Sequence, residues 1–138
     1  ANPDIFGRLG IIFFKARNYE SAVEVLGCAV DGCSAEENGA LLCELKVIAC
    51  DEDTQAEAVG QEVIGLPLSD ATLEYYYTFA SVLTSFRGAP SVPNACGRAE
   101  VLLDQLMTSY GTDPIVVGIV AENRQLCSGL APATTATP

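Results

Sequence analysis

The stretch PDIFGRLGIIFFKARNYESAVEVLGCAVD, residues 3–31, decides the fold class. Ile5, Phe6, Leu9, Ile12 and Phe13, followed by Ala22, Val23, Val25, Leu26, Ala29 and Val30, recur at steps of three and four. That spacing stacks side chains on one face of an α-helix. The polar hinge Ala16-Arg17-Asn18-Tyr19 between the two runs is so short that it permits only an antiparallel hairpin.

Outward from this hairpin the pattern breaks and then returns. Residues 32–69 hold glycines, the acidic run Asp51-Glu52-Asp53 and three cysteines, and read as an irregular insert. Within it, Ser34 caps a polar helical turn through Glu36-Glu37, while Leu45 to Ala49 and Val63 to Leu68 fit short strands and short helical turns equally well. Ser69 or Asp70 is placed to cap a helix carrying Leu73, Tyr76, Tyr77, Phe79, Ala80, Val82, Leu83 and Phe86 and ending at Gly88. Two prolines make residues 88–94 a loop. A helix then runs from about Gly97 to Tyr110 and ends at Gly111, and Asp113-Pro114 opens the last one, through Cys127, by the rule of cap followed by proline. Ser128 to Pro138, rich in Ala, Thr and Pro, is a tail or linker. The expectation is an all-α or mostly α domain over residues 1–127.

Its 138 residues, 49% hydrophobic and 18% charged, suit one folded domain and exclude intrinsic disorder for most of the length. Seven basic residues against eighteen acidic give a net charge of −11, which repels a phosphate backbone and argues against nucleic-acid binding. The chain has no histidine, so it lacks the usual general base and the commonest zinc ligand. No apolar run approaches the eighteen or more residues that a membrane span needs. The first residue is Ala1, and we read the chain as the mature or excised part of an exported protein.

The first hairpin resembles the tetratricopeptide repeat (TPR). Phe6, Leu9-Gly10, Phe13, Ala22 and Leu26 follow its spacing, with Tyr19 and Ala29 also where such repeats place an aromatic and a small residue. Gly10, Ala22 and Ala29 lack bulk where two helices cross closely, and the aromatics fill the gaps beside them. Residues 70–110 resemble a degenerate second hairpin, with Tyr76, Phe79-Ala80 and Leu83 on one helix and Ala99 and Leu103 on the next. Residues 113–127 then form a closing helix. The resemblance implies hairpins stacked in a short solenoid with an irregular disulfide-stapled insert, and a non-catalytic surface that binds proteins or peptides.

Six cysteines without CxxC spacing read as disulfides, hence an oxidising compartment and an extracellular or cell-surface location. Cys96 and Cys127 stand at the far ends of two helices of about fourteen residues joined by a tight turn. Antiparallel packing of about 21 Å brings them together. For Cys28, Cys33, Cys43 and Cys50 three pairings are open. A helix through 43–50 separates its two sulfurs by about 10 Å, which favours crossed bonds, Cys28 with Cys50 and Cys33 with Cys43.

No catalytic, cofactor-binding or metal site emerges. Asp51, Asp53, Gln55 and Glu62 have the outline of a calcium loop, yet Ala56 stands where the sharp turn needs glycine, so a solvated acidic loop is the better reading. Tyr75, Tyr76 and Tyr77 spread over about 200° of a helix, which leaves at least one ring pointing outward. Two buried rings and one partly exposed is one reading, and an exposed Tyr75 anchoring a partner is the other. Thr134, Thr135 and Thr137 beside prolines suit an O-linked glycan or a plain linker. The expected function is a non-enzymatic protein-interaction or structural module. It either assembles head to tail into a fibre or surface layer through the apolar end around Phe6 and Phe13, or acts as a monomeric adaptor whose concave face binds a peptide or partner protein.

Overall fold

Asn2 and Pro3 start the first helix by ordinary capping chemistry. The Asn2 side chain accepts from the Asp4 amide at 3.1 Å, and Pro3 takes a position whose N–H has no helical partner. The computed structural model describes residues 2–46 and 61–129. Among the described residues it is mostly helical: α1 (Pro3–Lys15), α2 (Tyr19–Asp31), β1 (Gly32–Cys33), α3 (Ala35–Glu44), β2 (Val63–Ile64), α4 (Leu73–Ser85), α5 (Ala95–Tyr110) and α6 (Pro114–Cys127). The chain divides into two compact units, Ala1–Tyr75 and Tyr76–Pro138, with the division inside α4.

In the first unit α1 and α2 pack closely, and α2 is the hub. Its Ala22, Val25, Leu26 and Ala29 are fully buried. A Cβ on Gly10 would overlap the Leu26 side chain, so the crossing depends on the missing methyl. Phe6, Val25, Cys28, Ala29, Leu41 and Val63 form the core of this unit, with Leu9 and Phe13 partly buried against it. Tyr75 closes over Gly7, where an added Cβ would lie 2.5 Å from the ring, and its hydroxyl donates to Asp4 at 2.6 Å.

The C-terminal end of α2 corrects the crossed cysteine pairing. Gly32 takes φ +82, a left-handed conformation that favours glycine, and turns the chain sharply out of the helix. Cys33 is thereby brought back to Cys28, with Cα atoms 4.9 Å apart, and the two form a disulfide. A continuing helix would have carried position 33 about 7.5 Å along the axis, beyond reach. Cys43 is also disulfide-bonded, and Cys50 lies outside the described residues. β1 pairs antiparallel with β2, Gly32 opposite Ile64 and Cys33 opposite Val63, and the Leu66 amide donates to Ala29 O at 2.8 Å.

The described parts of the insert, residues 32–46 and 61–69, hold more regular structure than their composition predicts. Ser34 and Glu37 form a reciprocal capping box, the Glu37 amide donating to Ser34 Oγ at 3.1 Å and the Ser34 amide to Glu37 Oε1 at 2.8 Å. It starts α3, ten residues long. The same bonds hold the Glu37 carboxyl below its ordinary pKa. At β2 the open choice resolves as strand for Val63–Ile64. The start of α4 differs from expectation. Thr72 Oγ1 accepts from the Ser69 amide at 2.9 Å and donates to Pro67 O at 2.7 Å, which builds a turn over 69–72 and delays the helix to Leu73.

In the second unit α5 and α6 form the close pair, buried through Ala99, Leu102, Leu103, Leu106, Val116 and Val120. Asp113 caps α6 by accepting from the Ile115 amide at 2.9 Å, with Pro114 at the first helical position. Cys96 and Cys127 are bonded, S–S 2.07 Å. Arg124 of α6 pairs with Glu100 at 3.0 Å and Asp104 at 2.7 Å on α5. These exposed ion pairs add little stability but agree with the antiparallel register.

Two glycines give opposite predictions. Gly10→Leu lowers stability by about 1–3 kcal/mol, because the added bulk meets Leu26 and forces the crossing apart. Gly118, in mid-α6, has nothing within 4 Å of an added Cβ. Gly118→Ala therefore stabilises by about 0.5–1 kcal/mol through helix propensity. Thermal unfolding of the two variants checks both signs, and equal midpoints would contradict the packing described.

Candidate functional site

The five apolar residues of α1 form a stripe too wide for one partner helix. At 100° per residue Phe6 and Phe13 point toward Gly10, whereas Ile5 and Ile12 share a direction about 100° away. The structure follows that division. Phe6 is 3% exposed and Phe13 is half-buried, but Ile5 is 53% and Ile12 60% exposed. Of the three expected anchors, Phe6 is therefore a core residue. Tyr75, at 8% exposure, is another, with its ring on Gly7 and its hydroxyl on Asp4. Burial first, and the bond to Asp4 second, raise the phenol above its ordinary pKa. Of the three tyrosines, Tyr75 and Tyr76 are buried and Tyr77 is half-buried.

The outward sector carries charge as well. Ile5, Arg8, Ile12 and Lys15 fall within about 80° of one another around α1. Arg17 follows in the hinge, and all five are exposed. Arg8 Nε lies 2.9 Å from Asp4 Oδ2, while Lys15 and Arg17 make no ion pair among the described residues. Residues 1–18 hold three basic side chains and one acidic, a net +2 within a chain of −11. The apolar pattern alone hides this local reversal of sign, which appears once the exposed residues are placed around the helix.

The opposite charge lies on α2 and α3. Glu20 and Glu24 stand one turn apart on α2, and Glu44 ends α3. All three are exposed. A hydrogen bond between the Glu24 and Glu44 carboxyls, partial burial, and repulsion from Glu44 and Glu20 push the Glu24 carboxyl up to about 7. Among the described residues no group of three His, Cys, Asp or Glu side chains is arranged to hold a metal ion. No described helix is long and apolar enough to cross a membrane. Asp51, Asp53 and Gln55 of the calcium-loop outline, and Thr134, Thr135 and Thr137, lie outside the described residues.

Glu24 gives the pH prediction. Its folded pKa, about 7, lies above the ordinary 4.5, so folding favours the protonated form. Its contribution to stability is complete below pH 4.5 and is lost as the pH rises through 7. Glu24→Gln, which mimics the protonated carboxyl, should match the native chain at pH 4.5 and exceed it at pH 8. Melting curves across that range check the difference, and parallel profiles would mean that the two carboxyls do not interact.

Comparison with protein-family models, curated proteins and solved structures finds no match to this chain.

Proposed function

We propose that this chain is a non-enzymatic, extracytoplasmic assembly subunit, built on a TPR-like first hairpin and joining copies head to tail into a fibre or surface layer. One observation carries the reading: α1 satisfies its packing with one face and still presents Ile5 and Ile12 to solvent, on a basic helix of an acidic chain. Exposed apolar side chains backed by local charge are what an interface between subunits requires. Gly10, Ala22 and Ala29 support the repeat-like hairpin, because all three are buried on α1 and α2 where bulk would obstruct close packing. The Cys28–Cys33 and Cys96–Cys127 bonds support residence in an oxidising compartment.

Sedimentation velocity and negative-stain electron microscopy on the disulfide-intact chain test this reading. Species that grow past the dimer with concentration, and filaments or sheets on the grid, are the expected result. A monomer at every concentration would contradict assembly and leave the adaptor that binds a peptide or partner protein.

A further inference from the structure

The exposed sector of α1 carries basic side chains, and the exposed side chains Glu20 and Glu24 of α2 and Glu44 of α3 are acidic. We infer that Ile5 and Ile12 of one copy, flanked by Lys15 and Arg17, dock on the face bearing Glu20, Glu24 and Glu44 of a second copy of this chain. The inference rests on the assembly reading above and specifies its surfaces.

Charge complementarity selects the occupant. Residues 19–75 hold thirteen acidic side chains and one basic, Lys46, so a second copy supplies a dense source of the charge that Lys15 and Arg17 lack. Glu20 and Glu24 are exposed one turn apart on α2, and repulsion from Glu20 and Glu44 is among the causes that raise the Glu24 carboxyl. An incoming Lys and Arg relieve that repulsion, while Ile5 and Ile12 contribute apolar burial. The charges set orientation and encounter rate and the isoleucines hold the contact, the usual division at an interface. An anionic lipid surface also attracts Lys15 and Arg17, but it repels the −12 carried by residues 19–75. Because the donor and acceptor patches differ, the contact is heterologous. It repeats from copy to copy, as a fibre needs, instead of closing a two-fold dimer.

Charge exchange tests it. Lys15→Glu/Arg17→Glu makes both patches acidic, and Glu20→Lys/Glu24→Lys makes both basic. Each variant alone should need at least tenfold more protein than the native chain to assemble. An equimolar mixture should regain native assembly, since each acidic patch then faces a basic one. That recovery also shows that both variants are folded. Native-like assembly by either variant alone, or a mixture no better than its parts while the native chain assembles, would overturn the inference and leave the assembly reading standing. A native chain that never assembles overturns both. Binding of the native chain to vesicles of anionic phospholipid, without self-association, would assign the patch to lipid and overturn the second-copy contact.

Discussion

The crossing of α1 over α2 depends on a side chain that is absent. Leu26 occupies the space a Cβ on Gly10 would need, and Tyr75 occupies that of Gly7, so the inner face of α1 is closed by its neighbours' bulk. Several of the described contacts of the first unit converge on α2. Cys28, Ala29 and Val30 receive in turn the disulfide to Cys33, the amide of Leu66 and the close approach of Gly65. Bulk added at these approaches costs on the order of 1–3 kcal/mol, a large share of the stability of a small domain.

Closing the inner face so tightly determines what is left outside. A helix that buries Phe6 and Gly10 cannot also bury Ile5 and Ile12 against the same neighbour, because the two sets point about 130° apart. Exposed basic residues lie on α1 and in the hinge, while on α2 and α3 the carboxylates of Glu20 and Glu44 help to raise that of Glu24.

Much of this arrangement is readable in the sequence. The two-helix pattern of residues 3–31 gives α1 and α2, Ser34 with Glu37 marks α3, and Asp113-Pro114 marks α6. The similar lengths of α5 and α6 and the tight turn between them place Cys96 beside Cys127. What is not readable turns on backbone torsions and on partners distant in the chain. The Cys28–Cys33 bond needs Gly32 to leave the helix at φ +82, which no hydrophobic pattern signals. Three successive tyrosines are equivalent in pattern, and Tyr75 is distinguished by Gly7, sixty-eight positions earlier. The start of α4 depends on one hydroxyl, Thr72, which competes with the expected caps at Ser69 and Asp70. The aromatic residues of the α1 stripe draw attention as anchors, yet Phe6 and Phe13 lie on the packed side of the helix, and Ile5 and Ile12 point outward.

The proposed contact between copies is tested most directly by zero-length carbodiimide cross-linking of an equal mixture of light and 15N-labelled chains. The reagent joins a lysine amine to a carboxylate only where the two already touch, and the isotopes separate links between copies from links within one. Mixed-isotope peptide pairs joining Lys15 to Glu20, Glu24 or Glu44 are the expected result. Mixed pairs that avoid Lys15, or links confined to single copies in an assembled sample, would contradict it.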